Sequence, residues 1–262
     1  MQRIVLTMLM AAGAGRAEDL APLTREQLQH TSARIAAVQM NGNWFWQGHD
    51  DMPRATSDQV VDYINRAGRE QVDLIVFPEL LLGKFRVPCE ATERIGEAAA
   101  RNNVNVVVGC FEIIDDEGSY GNSSLVFDRK GTIVGRYFKT HAACGDMPQG
   151  WPGRADDPEW VMDEGSGFPV FDLDFGRIGI FTCYDGYFAE PGRILSLKGA
   201  EILVWPNARG GKIEDYLVLS EMHRNYVHMV CTNKAIGSGT MVAEWPRNIK
   251  AVVDQPEERW VV

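Results

Sequence analysis

Three strand-like apolar runs of this chain each end in a polar residue of a different chemical type. Glu79 follows the first run, Lys139 the second and Cys183 the third. The runs cover residues 73–78, 132–138 and 176–182. Short apolar runs of this kind are typical of β-strands. In α/β proteins, residues that follow such strands meet at one edge of the sheet, where sites are built. A carboxylate, an ammonium group and a thiol are therefore predicted to converge.

The rest of the chain alternates between strand patterns and helix patterns in both halves. The spacing of apolar residues predicts helices over 55–69, 91–101, 191–198 and 215–226. Strands are predicted over 33–40, 73–77, 104–114, 123–128, 132–139, 170–174, 177–182, 201–205, 227–232 and 239–243. Residues 140–167 are rich in Gly, Pro and Asp and are predicted to form a long functional loop. This order predicts one α/β domain whose sheets are each covered by helices on one outer face.

The overall charge limits the classes of partner. The formal net charge is −10, which argues against a nucleic-acid surface and against a polybasic membrane-binding surface. No run reaches the roughly 18 to 20 apolar residues that a membrane span needs. At 262 residues, the chain is long enough to bury a substantial core in one large α/β domain. A small molecule is therefore the expected partner.

The N-terminal segment differs from the rest of the chain. Arg3 precedes an apolar stretch, and small residues follow before the acidic Glu18. This pattern predicts a signal peptide over residues 1–17 and a single domain over 18–262, with export to the periplasm or the medium. The alternatives are an N-terminal helix of a cytoplasmic protein or a misassigned start.

The five cysteines are odd in number and lack CxxC spacing, so no disulfide framework is predicted.

The three polar residues form a complete set for thiol chemistry at a carbonyl carbon. Free cysteine has a pKa near ~8.5, so only about 3% is thiolate at pH 7. Glu79 is predicted to accept the Cys183 proton as a general base, while Lys139 favours the anion. Attack on an amide carbon creates an oxyanion, for which Lys139 and the backbone N–H of Tyr184 are the predicted donors. The resulting thioester would then be hydrolysed by water.

Three motifs surround these residues. They are FPEL at 77–80, YFKTH at 137–141 and GIFTCYD at 179–185, with supporting matches at 107–109, 121–123, 198–203 and 205–208. The set resembles the nitrilase superfamily of carbon–nitrogen hydrolases, whose catalytic triad is Glu, Lys and Cys. The resemblance implies a four-layer α-β-β-α sandwich that usually forms dimers and uses no metal or organic cofactor. It also implies a second glutamate that positions the substrate or the lysine, for which Glu159 is the first candidate and Glu164 the second. Asn207 lies where this architecture places residues that contact the substrate.

The residues after the nucleophile favour one branch of the superfamily. Members that hydrolyse nitriles tend to have Trp-Glu after the catalytic cysteine, whereas Tyr-Asp, as at 184–185 here, is common in amidases and carbamoylases. The resemblance therefore implies hydrolysis of an amide or an N-carbamoyl group, with release of ammonia or an amine. Nitrile hydrolysis, acyl transfer on the same triad and a catalytically silent binding protein are the alternatives.

The sequence does not name the substrate. A basic residue in the pocket would favour a substrate with a carboxylate, and none of five candidates stands out: Lys84, Arg86, Arg154, Arg209 and Lys212. The spacing of His141, Cys144, His223 and His228 fits no zinc pattern, so no metal site is predicted. Residues 81–90 are a short segment for the family. Residues 257–262 resemble the start of its last strand, which predicts either a fragment or a chain without the C-terminal element that often packs at the dimer interface.

Overall fold

The apolar runs form two β-sheets. The structure is a computed structural model that describes residues 32–42, 54–143 and 158–262. The first sheet contains β1 (Ile35–Gln39), β2 (Leu74–Val76), β3 (Lys84–Arg86), β4 (Asn105–Ile113), β5 (Tyr120–Phe127), β6 (Ile133–Phe138) and β13 (Arg259–Val261). The second sheet contains β7 (Val170–Leu173), β8 (Gly176–Ile180), β9 (Ile202–Pro206), β10 (His228–Thr232), β11 (Thr240–Glu244) and β12 (Asn248–Val253).

The strand order brings the carboxyl ends of the central strands to one edge of each sheet. The first sheet has the order β13-β1-β2-β4-β5-β6, in which β1, β2 and β4 are parallel, and β3 pairs with β4. β5 is antiparallel to both β4 and β6, so β6 runs in the same direction as β4. The second sheet has the order β12-β11-β10-β9-β8-β7, in which β8, β9 and β10 are parallel. The residues that follow β2 and β6 therefore leave the first sheet at the same edge.

Helices cover the outer face of each sheet. α1 (Arg54–Arg69) and α2 (Glu90–Asn102) pack on the first sheet, and α3 (Glu190–Leu197) and α4 (Asp215–Asn225) pack on the second. The inner faces of the two sheets share one apolar core, so strands such as β1 and β9 are buried along their whole length. Burial on both faces explains why these strands are continuously apolar in sequence. The expected four-layer α-β-β-α sandwich is confirmed.

The predicted bounds of the four helices agree with the observed bounds to within one residue at each end, but some strands differ from the prediction. β3 was not predicted, because its KFR sequence is short and polar and depends on pairing with the far end of β4. β12 was also missed, because it is an edge strand whose residues are mostly exposed or partly exposed. β5 begins three residues earlier than predicted, where Gly and Asn weaken the strand pattern.

Several predictions concern residues outside the described ranges. The signal peptide over 1–17 lies there, as do Cys144 and Arg154. Export and dimer formation stay predictions. None of the helices within the described ranges is long and apolar enough to cross a membrane. These ranges also contain no group of three or more His, Cys, Asp or Glu side chains that could hold a metal ion.

Candidate active site

Glu79 lies in a tight turn after β2 that is packed against β4. Thr232, from the second sheet, donates a hydrogen bond from Oγ1 to the Phe77 carbonyl at 3.1 Å. Gly109 lies behind the turn, and a Cβ there would be 2.9 Å from the Glu79 Cα and 2.7 Å from the Leu80 nitrogen. Only glycine permits so close an approach of the two backbones. Leu80 itself has a left-handed φ of 53°. The turn therefore fixes the direction of the Glu79 carboxylate.

Lys139 follows β6 directly and forms a buried ion cluster with two carboxylates. Its Nζ donates to Glu79 Oε1 at 2.9 Å and to Glu159 Oε1 and Oε2 at 2.6 and 2.9 Å. The Lys139 and Glu79 side chains are only 1% and 2% exposed. All three ammonium protons are thus directed at carboxylate oxygens. The structure brings the two predicted residues together and places Glu159 with them, whereas Glu164 is exposed.

Asn122, in β5, links the two carboxylates of this cluster. Its Nδ2 donates to Glu79 Oε1 at 2.8 Å and to Glu159 Oε1 at 3.0 Å, and the residue is buried. The Tyr120 hydroxyl donates to the Pro158 carbonyl at 2.8 Å, which holds the short 3-10 turn that carries Glu159. Sequence reasoning assigned no catalytic role to Asn122. The signal that identifies it is an asparagine inside a buried strand, since asparagine is depleted in strands.

Cys183 begins the short 3-10 helix Cys183–Tyr187, which follows β8. Its φ of 46° is left-handed, a conformation that costs a non-glycine residue about 1–2 kcal/mol. Trp205 donates from Nε1 to the Cys183 carbonyl at 2.9 Å, and Gly186 permits this approach because a Cβ there would lie 2.3 Å from the indole ring. Tyr184 is the second residue of this helix, so its N–H has no acceptor within the helix. One turn therefore presents both the thiol and a backbone donor.

Asp185 joins this turn to the end of β6, and it is completely buried. Its Oδ2 accepts hydrogen bonds from the Thr182 N–H at 2.8 Å and the Tyr137 hydroxyl at 2.7 Å. Its Oδ1 accepts from the Thr140 hydroxyl and from the His141 N–H, both at 3.0 Å. Burial and the charge of Asp185 raise the pKa of Tyr137, so the phenol stays a donor. The carboxylate thereby connects the end of β6, in the first sheet, to the turn after β8, in the second sheet, next to the site.

Replacing Asp185 by asparagine is expected to destabilise the protein by about 2–3 kcal/mol and to reduce kcat about 10- to 100-fold. An amide offers one nitrogen and one oxygen, so one of the two sets of donors would face an N–H group. Urea unfolding and turnover of the same preparation check this. Asp116→Asn is the control, because the Asp116 side chain is 98% exposed. An unchanged kcat would show that the hydrogen bonds to Asp185 do not position the reacting groups.

The protonation states follow from burial and from the ion cluster. Burial and the charge of Glu79 raise the pKa of Cys183 to about 12, while Lys139 and Arg209 act in the opposite direction. Burial raises the pKa of Glu79 above its ordinary value, although Lys139 opposes this. Burial lowers the pKa of Lys139, but Glu159 and Glu79 outweigh it and hold that pKa well above the ordinary value. The predicted direction of the Lys139 effect is right, but the thiol stays neutral in the free protein. A base is therefore needed.

Asn207 and His141 also lie at this edge. Asn207 is buried just after β9; its Nδ2 donates to the Trp205 carbonyl at 2.7 Å, and its Oδ1 has no hydrogen-bond partner among the described residues. Contact of Asn207 with the substrate stays a prediction. His141 has Nδ1 2.8 Å from Asp185 Oδ1, and its ring stacks on Phe188 with centroids 4.1 Å apart. His141 thus belongs to the group of residues that hydrogen-bond to Asp185, and it does not act as a metal ligand there.

The family model for carbon-nitrogen hydrolase matches residues 34–236. The chain belongs to the carbon–nitrogen hydrolase family. It is 27% identical over 189 residues to omega-amidase NIT2 from Homo sapiens, which covers 68% of this chain and 64% of the relative. It is 32% identical over 177 residues to N-carbamoylputrescine amidase from Solanum lycopersicum, which covers 62% of this chain and 55% of the relative. The chain thus spans less than two thirds of the length of these curated carbon–nitrogen hydrolases.

Solved structures of carbon–nitrogen hydrolases share the fold. A mutant amidase from Nesterenkonia sp. AN1 matches with a TM-score of 0.71 and 18% identity, covering 87% of this chain and 91% of that one. That structure shows the Michael addition of acrylamide at the active-site cysteine of the amidase. Nit3 from Saccharomyces cerevisiae, a member of the nitrilase superfamily, matches with a TM-score of 0.71 and 19% identity over 86% of this chain and 87% of that one. The two-sheet sandwich is therefore the nitrilase-superfamily fold.

Proposed function

We propose that the protein hydrolyses a non-peptide C–N bond, in an amide or an N-carbamoyl group, through a thioester on Cys183. The observation that carries the proposal is the buried cluster of Glu79, Lys139 and Glu159, whose charges act on the Cys183 thiol. Such a cluster is costly to bury and has a clear use beside a nucleophile that needs a base. The names of the curated relatives, omega-amidase and N-carbamoylputrescine amidase, support the same class of reaction.

In the first half of the reaction, Glu79 takes the Sγ proton while Sγ attacks the carbonyl carbon. The two events are coupled because the thiol is neutral before the attack. The oxyanion that forms is stabilised by the Tyr184 N–H and by the charge of Lys139, whose own protons are directed at carboxylates. The C–N bond then breaks, and Glu79 returns the proton to the leaving nitrogen. Ammonia or an amine departs and leaves an acyl group on Cys183.

In the second half, Glu79 takes a proton from water as the water oxygen attacks the thioester. The C–S bond breaks, the acid leaves, and the proton on Glu79 returns to the Cys183 sulfur. Burial would raise the pKa of Glu159, but Lys139 outweighs this and holds it below the ordinary value. Glu159 therefore stays ionised and keeps Lys139 charged in both halves. Glu79 is the group that gains and loses the proton.

Ammonia release from a panel of substrates tests the proposal. The panel contains small amides, N-carbamoyl amines and amino acids, and nitriles of the same carbon length. We expect ammonia from amides or N-carbamoyl compounds and, after an acid quench, a mass increase equal to the acyl group. Peptide mapping should place it on Cys183. Cys89 is the internal control, because it is a partly exposed thiol at the start of α2, and acylation there would be non-specific.

The other outcomes separate the alternatives. Turnover of nitriles alone would replace the proposal with nitrile hydrolysis. Acyl transfer to added hydroxylamine in strong preference to water would indicate a transferase. No ammonia from any compound, together with no acyl group on Cys183, would contradict catalysis and favour a binding protein with this fold.

A further inference from the structure

Arg209 lies next to the nucleophile at the edge of the second sheet, three residues after β9. Its side chain is 11% exposed, and its Cζ lies 4.7 Å from the centroid of the Trp205 ring and 5.0 Å from that of Tyr187. Trp205 in turn donates to the Cys183 carbonyl at 2.9 Å. Trp205 thus contacts both the nearly buried guanidinium group and the backbone of Cys183.

The guanidinium group uses only part of its hydrogen-bonding capacity within the described residues. Its Nη1 donates to the Tyr187 hydroxyl at 3.1 Å and pairs with the Glu214 carboxylate. Its Nε and Nη2 are buried, and neither has a hydrogen-bond partner among the described residues. Buried donors of a charged group are normally paired, because leaving them unpaired costs their hydration. An acceptor for Nε and Nη2 is therefore expected.

The Nε and Nη2 atoms form the edge of a guanidinium group that binds a carboxylate with two parallel hydrogen bonds. The same chain shows this arrangement at Arg177. There Nε donates to Asp172 Oδ1 at 2.6 Å and Nη2 donates to Asp172 Oδ2 at 3.1 Å. Arg209 has the equivalent edge, and no carboxylate of the described residues occupies it.

The other basic residues predicted for this role are used elsewhere. Arg86 and Lys212 form ion pairs at the protein surface, and both are about half exposed. Lys84 lies over the Tyr120 ring, with Nζ 3.6 Å from the ring centroid. Arg154 lies outside the described residues. Arg209 is therefore the candidate that combines burial, an available edge and proximity to the nucleophile.

We propose that Arg209 binds a carboxylate of the substrate, at the end remote from the bond that is cleaved. The substrate class is then an amide or N-carbamoyl compound with an anionic end. This inference rests on the proposed hydrolase function, since it names the substrate of the same site. The carboxylate accepts from Nε and Nη2 together, while Glu214 keeps Nη1. It approaches past Tyr187, whose exposed ring lies over the Arg209 guanidinium group; this group with its unoccupied edge is the guanidinium site.

Two substrates of matched size test this proposal. Succinamate ends in a carboxylate, whereas levulinamide ends in a neutral acetyl group, and the readout is the ratio of their kcat/KM values. The wild type is expected to prefer succinamate by about 10²-fold, chiefly through KM. Arg209→Gln should remove this preference. Arg209→Lys should retain only part of it, because an ammonium group keeps the charge but lacks the paired donors. A second pair of substrates, each one methylene longer, shows whether the preference for a carboxylate depends on its distance from the amide.

Lys212→Gln is the matched control, because it removes a cation three residues away that is paired with Asp254 at the surface. It should leave the ratio of the two substrates unchanged. Thermal melting curves show whether each variant is folded. If the Arg209 variants do not fold, inhibition of the wild type supplies the same information. Succinate should inhibit at least about tenfold more strongly than hexane-2,5-dione, a neutral compound of the same length that contains no amide.

Two results would overturn carboxylate binding: equal turnover of succinamate and levulinamide by the wild type, or an Arg209→Gln variant that slows both and keeps their ratio. The second result would make Arg209 an electrostatic partner of Cys183 instead. Failure of the wild type to hydrolyse any amide would contradict the proposed function but not the guanidinium site. In that case, calorimetric binding of succinate to the wild type, lost in Arg209→Gln, would still support it, and no binding would refute it.

Discussion

Replacing Cys183 by serine is expected to reduce amide hydrolysis about 10⁴- to 10⁶-fold. A hydroxyl holds its proton far more tightly than a thiol, and a carboxylate such as Glu79 is too weak a base to remove it. Serine is smaller than cysteine and fits in the same space, and Trp205 donates to the backbone carbonyl of residue 183, so the turn and this hydrogen bond should be kept. Ammonia release and thermal melting of the same preparation check both statements.

Cys89→Ser is the control for this loss of activity. Cys89 precedes α2 as its N-cap residue, a position at which serine is favoured, so the helix should be kept or strengthened. Ammonia release should be unchanged in this variant. If Cys183→Ser retained more than roughly a hundredth of wild-type turnover, the nucleophile would have to be another group.

Replacing Lys139 by methionine is expected to lower the free energy of unfolding by about 3–5 kcal/mol at neutral pH. Methionine fills most of the space of the lysine stem, but Glu79 and Glu159 then remain buried without the cation that contacts both. Turnover is expected to fall at least about 10³-fold, because the charge that stabilises the oxyanion is lost. Urea unfolding and ammonia release measure the two effects.

The stability loss should depend on pH with a defined sign. In the wild type, Lys139 holds the pKa of Glu159 below its ordinary value, so that contribution is present at neutral pH and is lost as pH falls through the folded pKa. Without Lys139, burial raises the pKa of both carboxylates above their unfolded values. Their ionisation then destabilises the variant as pH rises. The deficit of Lys139→Met should therefore be larger at pH 8 than at pH 5.

Two further variants show whether the ion cluster causes this loss. Lys130→Met changes an exposed turn residue and should alter stability by less than about 0.5 kcal/mol. Glu159→Gln added to Lys139→Met should recover part of the lost stability, because one uncompensated charge is removed. Equal stability of Lys139→Met and wild type at both pH values would contradict a buried cluster that needs its cation.

The fold was accessible from the sequence wherever burial on both faces of a strand makes the pattern apolar. β1, β2 and β9 are of this kind, and all four helices carry one apolar face at helical spacing. β3 and β12 lack such a pattern, since their pairing partners rather than their own residues make them strands. The stacking of the sheets was inferred from family motifs, not from periodicity.

The residues of the candidate site also fall into those that the sequence predicted and those that it did not. Glu79, Lys139 and Cys183 could be named because each follows an apolar run and carries a group with an obvious role in catalysis. Asn122 and Asp185 could not, because their importance lies in partners 37 to 48 residues away in the chain. The sequence did not distinguish Arg209 from four other basic residues. Its burial, and the lack of partners for its Nε and Nη2 among the described residues, distinguish it in the structure.

The sequence by itself determined which chemical groups stand at the strand ends and that the domain is of the α/β class, because hydrophobic period and residue type are local properties. Only the tertiary structure decided the protonation states, the cluster of two carboxylates on one ammonium group and the placement of Arg209. Each depends on desolvation and on distances of about 3 Å between residues that are remote in the chain. Such distances are set by how the two sheets pack, and they cannot be predicted from any local sequence pattern.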